Sequence, residues 1–351
     1  MIPYLFAWFL LFLAAFQLKG KGLEWIAIGV LFFISFFRGE TIGDDTINYM
    51  TYDIRMAPTG IKQFEYLFHF VHSLIPVLGR YTVIEFFTIT TFVFIILSCK
   101  RYGVRPVMAF FFFVIFKYFN ISLNVSRQFA AASVLLYAYS FLDEKGKKKL
   151  WFFLLILLAG GIHAPAYFFS LAFLLGLIPN KTNLSNGKQL IILILLYLLL
   201  DVYLAPLFSN WAQSFDMVGL ESYSNYFEQA ENLEKGSFNG MVLRYGTIGL
   251  NIFIYYKLLC LKSKIKHPIV LPLFAIAILV SAFLTQFYGN LGRLQYYLTM
   301  INIIAYSYYF TYTQTNRKTI VLLAIFVFWG SNYIWDLQQG SFWTVPYSTR
   351  F

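Results

Sequence analysis

Charge is what this chain has least of. Only 12% of its 351 residues are charged, against 59% hydrophobic and 21% aromatic; a soluble domain carries about a quarter charged residues. The shortage excludes two classes. Disordered chains are charge-rich and apolar-poor, and a water-soluble enzyme could not carry apolar runs of this length. Cysteine is nearly absent. Cys99 and Cys260 both fall at lysine- or arginine-bearing ends of apolar runs, so no structural disulfide is expected. Recurrent runs of about ten alternating residues, which a membrane barrel would need, are missing. So are a Gly-Lys-Ser/Thr phosphate loop, GxSxG and CxxC, which leaves ATP hydrolysis, serine hydrolysis and dithiol redox chemistry without support. The net charge of +11 would suggest nucleic acid in a soluble protein. Here the basic residues are divided among short loops with no helix or sheet platform, and no nucleic-acid partner is expected.

Apolar runs close to the length of a bilayer span, about 20 residues, fill the rest. Candidates cover 3–18, 23–37, 81–98, 106–122, 126–142, 189–209, 242–261, 268–288, 294–312 and 319–337. The stretch 151–178 is interrupted by Gly160-Gly161-Ile162-His163-Ala164-Pro165, which predicts a broken helix. The first run lacks a basic leader and a small-residue cleavage site and is read as a permanent helix. The expectation is an all-α polytopic integral membrane protein of about 10–12 transmembrane helices. It forms a single domain over 1–351, with outer segments at about 38–80 and 210–241. Lys and Arg stay in the cytoplasm. Placing Lys19/Lys21, Lys100/Arg101/Arg105, Lys145–Lys149, Lys181/Lys188, Lys257–Lys266 and Arg317/Lys318 inside gives one alternating path. Phe64–Leu78 then lies on the outer face as an amphipathic helix with its polar stripe outward.

Four polar places sit at the expected outer boundary, and ionisable groups there invite a functional hypothesis. The first is Arg38-Gly39-Glu40-Thr41-Ile42-Gly43-Asp44-Asp45-Thr46-Ile47-Asn48-Tyr49, readable as a binding loop for a charged or hydroxylated substrate or as a solvated Asx turn. The second is Glu65, His69 and His72. Their i, i+4, i+7 spacing would share one helix face, as zinc ligands, as the stripe of an interfacial helix, or with Glu65 alone catalytic. The third is Asn124-Val125-Ser126-Arg127-Gln128, in which Arg127 is either a planar fork for a phosphate or a snorkelling side chain. The fourth pairs His163, in the helix break, with Arg293. His163 is either a hydrogen-bonded structural residue or a proton carrier.

In this order the four places resemble the EpsG family of bacterial exopolysaccharide and O-antigen polymerases, the Wzy-type enzymes. The residues that carry the resemblance are Arg38, then Gly43, Asp45, Thr46 and Tyr49; Glu65; Asn124, Arg127, Gln128 and Ala130; His163; and Arg293 with Tyr296. The resemblance implies a substrate, an oligosaccharide repeat unit on undecaprenyl diphosphate at the periplasmic face of the bacterial inner membrane. It implies transfer of the growing chain onto the next unit. The catalytic candidates are then Asp45, Glu65 and His163. The diphosphate- and substrate-binding candidates are Arg38, Asp44, Tyr49, Asn124, Arg127, Gln128, Arg293 and Tyr296. No metal ligand set and no cofactor are expected, although the Asp44-Asp45 pair also resembles the acidic pair of metal-dependent polyprenyl-phosphate glycosyltransferases and leaves a divalent metal open. The expected partners are the lipid-linked oligosaccharide, the bilayer, a chain-length regulator and a flippase. An O-antigen ligase or a flippase are the alternatives.

Overall fold

The computed structural model describes residues 1–18, 20–51, 65–177, 184–204, 207, 238–284, 292–313, 315–340 and 344–350. Lys19, Lys181, most of the acidic loop at 210–241 and the link 289–291 lie outside the described residues, as do the side chains of Asp44 and Arg317. Helices make up 82% of the described residues, and no strand is formed among them, as expected of an all-α polytopic membrane protein.

The helices are α1 (Ile2–Gln17), α2 (Lys21–Phe36), α3 (Asp44–Thr51), α4 (Tyr66–Leu78), α5 (Thr82–Tyr102), α6 (Pro106–Ile115), α7 (Tyr118–Asn124), α8 (Ser126–Tyr139), α9 (Leu150–Ile162), α10 (Asn186–Leu204), α11 (Phe238–Cys260), α12 (Val270–Leu284), α13 (Tyr296–Thr299), α14 (Ile301–Tyr312) and α15 (Lys318–Gln338). Among the described residues, α5, α10 and α15 are long and apolar enough to cross a membrane unbroken, and α6 with α7, bent by 71°, has together the length and composition of a broken span or a re-entrant loop. The apolar runs of the sequence are thus cut more finely than hydropathy suggests. Lys117 takes a left-handed φ of 67° at the α6–α7 bend, and π turns occur at Leu13–Gln17 and Phe326–Gly330.

Helices apolar on every side are buried, and α6 and α14 show it. Every residue from Val107 to Ile115 and from Ile301 to Phe310 is buried. Their rings interlock: Phe112 packs on Tyr306 with centroids 5.3 Å apart and on Phe310 at 5.6 Å, and Phe116 meets Tyr306 edge-on at 4.8 Å. The outer faces of α1, α2, α10 and α15 instead expose Phe9, Ile26, Leu195 and Leu323, the surface a bilayer covers. Around the core, α8 packs on α5, α9 and α13.

The bundle has two distinct ends. At one, Arg105 opens α6 and donates to the Ala14 and Ala15 carbonyls of α1 and to Glu24 of α2. Arg101 of α5 pairs with Glu144 beyond α8, and Asp143 accepts the Ile269 N–H. Lys145–Lys149 follow α8 at this same end. Arg38, α3 and Arg127 lie at the other, where α8 begins. Here the tail 344–350 returns. Gly39 N–H donates to the Ser348 carbonyl at 2.9 Å, Arg350 N–H to the Phe37 carbonyl at 3.2 Å and the Tyr4 hydroxyl to the Thr344 carbonyl at 2.6 Å.

Two sequence expectations change in detail. The glycines Gly160 and Gly161 stay helical, and the break falls on His163, which is extended (φ −149°, ψ 112°) before a 3-10 segment, Ala164–Leu177. Pro165 has no N–H to offer the Gly161 carbonyl, so the α-helical ladder cannot continue through it. The helix α4 is not divided as expected into a buried apolar and an exposed polar face, although it does bury Phe68 and Val71. It exposes Tyr66, Phe70 and Val77, while the ring nitrogens of His69 are buried. Glu65 precedes the helix rather than sharing a face with the histidines.

Candidate functional site

The first turn of α8 gathers the site. Gly43 and Asn124 set the approach of α3. Gly43 adopts φ +82°, and a Cβ there would lie 2.3 Å from the Leu123 carbonyl oxygen, so only glycine lets the loop close onto α7. Thr46 then donates to the Ile42 carbonyl at 2.6 Å, and Asp45 N–H donates to Asn124 Oδ1 at 3.0 Å. The same glycine logic fits the helix break. A Cβ on Gly160 would meet the Tyr167 ring at 2.2 Å, and one on Gly161 the Tyr66 ring at 2.6 Å.

Arg127 is the centre. Its Nη1 donates to Glu65 Oε2 at 2.6 Å, and its guanidinium lies 4.6 Å from the Phe68 ring centroid and 6.0 Å from that of Tyr49. The other Glu65 oxygen accepts the Ala164 N–H at 2.9 Å. One buried carboxylate, 5% exposed, therefore ties α8 to the break after α9. His163 Nδ1 meets the Tyr297 hydroxyl. Gln128 Nε2 donates to the Arg293 carbonyl at 2.6 Å, and Arg293 Nη1 lies 3.6 Å from Asp45 Oδ2. Burial pushes the Tyr49 phenol up to about 12, with Arg127 pulling the other way, so Tyr49 is a neutral hydroxyl at physiological pH.

Arg38 differs from the other two arginines. It is 1% exposed, with Nη1 donating to the Ser35 carbonyl at 3.1 Å and Nη2 to Ser126 Oγ at 2.6 Å. Burial lowers it to about 10, and it stays charged at neutral pH. Tyr296 is also apart, stacking on Phe129 with centroids 5.1 Å apart on the wall of a separate cavity.

Of the residues singled out in the sequence, Asp45, Glu65, Asn124, Arg127, Gln128, His163 and Arg293 thus form one linked set. Asp44 contributes only its helical backbone to the description. Among the described residues no three His, Cys, Asp or Glu side chains converge as metal ligands do. Sequence reasoning missed Ser35, Ser126, Tyr297 and the tail. Of these, Ser126 lies inside the Asn124–Gln128 stretch and Tyr297 next to Tyr296, whereas Ser35 and the tail carry no local signal.

No curated protein and no solved structure matches the chain at a significant level. The sequence model of the EpsG family matches residues 23–349. That stretch is nearly the whole chain and holds every residue of the linked set, so the chain belongs to the EpsG family, a family of Wzy-type polymerases.

Proposed function

We propose that this protein polymerises undecaprenyl-diphosphate-linked oligosaccharide repeat units at the periplasmic face of the inner membrane. The observation that carries the reading is convergence. Five segments far apart in sequence, around Asp45, Glu65, Arg127, His163 and Arg293, meet at the start of α8 through direct contacts. That end of α8 is opposite to its lysine cluster, and lysine marks the cytoplasmic side.

The chemistry follows from where each group sits. An acceptor hydroxyl attacks the anomeric carbon of the donor. The new C–O bond forms as the bond to the diphosphate breaks, the hydroxyl proton passes to a base, and the lipid diphosphate leaves with the electron pair. Arg127 and Arg293, both partly exposed, stabilise that developing charge. Arg38, enclosed by Ser35 and Ser126, holds the loop instead. Glu65 has both oxygens engaged and positions Arg127. His163 Nδ1 and the Tyr297 hydroxyl share a hydrogen bond that fixes the ring in the break, and Nε2 is the ring nitrogen that turns to the substrate. Asp45, whose carboxylate is 28% exposed and lies 3.6 Å from Arg293, is the base. Tyr49, one turn further along α3, is a substrate contact beside it.

Deleting the gene in its host is expected to leave single repeat units without polymer, and Asp45→Asn to reproduce this with normal expression, a loss of about 100-fold or more. Persisting long chains would sink the reading. The helix pair bent by 71° at Lys117 favours a second reading, a flippase, because broken helices line transporter paths; absence of any repeat unit outside would favour it. A chain-length regulator and a flippase are the protein partners this reading implies.

A further inference from the structure

A cavity of about 190 Å³ lies beside the α6–α7 bend, between Lys117, Arg244, Asn251, Tyr296, Asn302 and Trp329. Three features describe what it can hold. First, its cations are already neutralised. Lys117 Nζ lies 2.7 Å from Asp336 Oδ2, and Arg244 pairs with Asp201, whose side chain is only 5% exposed. The lining therefore suits an uncharged ligand and not a diphosphate. Second, the walls are aromatic. Tyr118, Tyr296 and Trp329 border the space with Phe116, and flat apolar ring faces match the C–H face of a pyranose. Third, the cavity has unmet hydrogen-bonding capacity. Asn302 is 6% exposed and Thr299 3%, both line the cavity, and Asn302 Oδ1 and Thr299 Oγ1 have no hydrogen-bond partner among the described residues. Buried polar atoms left unpaired cost about 1–3 kcal/mol each, so a ligand with hydroxyl groups is favoured there. The scaffold around these atoms is fixed. The Tyr118 hydroxyl donates to the Thr299 carbonyl at 3.0 Å and accepts from Asn302 Nδ2 at 3.3 Å.

We propose that this cavity is a glycan subsite that holds one uncharged sugar ring of the repeat unit. The proposal rests on the polymerase reading. Arg293 and Tyr296 connect the two places, since the arginine faces Asp45 while Tyr296, three residues on, faces the cavity. Catalysis at the start of α8 and sugar recognition in the cavity thus share one short segment. The subsite takes the sugar, and Arg127 takes the diphosphate.

The test uses full-length protein in nanodiscs. The probe is the free repeat-unit oligosaccharide, released from the host polymer and carrying neither lipid nor phosphate, with binding measured by equilibrium dialysis. Wild type is expected to bind it. Asn302→Leu and the near-isosteric Thr299→Val should each weaken binding tenfold or more at unchanged yield and elution profile, and Arg127→Ala should leave it intact. Wild-type protein that does not bind the free glycan, or variants that bind as wild type does, would overturn the subsite. The polymerase reading fails by a different result, polymer persisting in the deletion strain.

Discussion

Two arginines that open onto opposite ends of the bundle make the useful comparison. Arg101 lies in the last turn of α5, where the helix dipole favours a cation, and pairs with Glu144 just beyond α8. Arg127 is the second residue of α8, where the dipole disfavours it. Its offset comes from Glu65 and from the rings of Phe68 and Tyr49. The lysine-rich end uses charge to finish helices: Arg105 closes the carbonyls of α1, and Asp143 caps the start of α12. The other end places charge where local helix energetics oppose it. A cation kept against its helix dipole and at a membrane boundary is better accounted for by a ligand than by stability.

Replacing each arginine is the strongest way to break this contrast. Arg127→Ala is expected to lower chain growth about 100-fold or more with protein retained in the membrane, and Arg127→Lys to recover little, because a point charge does not reproduce the guanidinium fork. Arg101→Ala should lower thermal stability and leave the polymer profile close to wild type. Equal loss of polymer in both variants would remove the distinction.

Glycines sharpen the same comparison at smaller amplitude. Gly43 and Gly103 both have positive φ, +82° and +78°. A Cβ at Gly43 meets the Leu123 backbone at 2.3 Å, whereas at Gly103 it meets only the flexible end of Lys266 at 3.4 Å. Gly43→Ala should displace the Asp45 loop and reduce polymer about tenfold, equivalent to about 1.4 kcal/mol of barrier. Gly103→Ala, at the end of α5, should cost about 1 kcal/mol of stability and leave chain growth intact. Polymer length by gel and thermal unfolding in detergent separate the two effects.

The fold class and most of the linked set were readable in the sequence because they depend on local signals. Long apolar runs report lipid, and Asp45, Glu65, Arg127, His163 and Arg293 stand out wherever charge is rare. Span lengths were not readable in the same way. Hydropathy treats 106–122 as one run and does not see that Lys117 turns the backbone left-handed within it. Partners distant along the chain were also hidden. The Ser126 hydroxyl that holds Arg38 lies 88 positions away, and the Thr344 carbonyl that receives the Tyr4 hydroxyl 340. Serine, threonine and tyrosine in apolar runs look alike until packing places them. The faces of α4 were misread for a related reason. An amphipathic stripe gives a helix two faces but does not say what packs against each.

The smallest expected effect concerns His267, which belongs to the lysine-rich end. It sits in the connection before α12, packed edge-on against Tyr102 at 5.6 Å and with Nδ1 4.0 Å from Asp143 Oδ2. Burial, together with nearby Arg101 and Lys266, lowers its pKa below the usual histidine value, while Asp143 and Glu144 pull the other way. The unfolded chain therefore binds the proton more readily than the folded one. By linkage, stability rises with pH through that window and is lost as pH falls below about 6.5. Wild-type protein should unfold at a lower temperature at pH 5.5 than at pH 7.5, and His267→Gln should flatten that difference. Because this histidine lies at the end where charge only completes helices, the same variant should leave the pH profile of chain growth unmoved. A shift of the activity profile in His267→Gln would mean that the two ends are coupled and that the division drawn between them is too sharp.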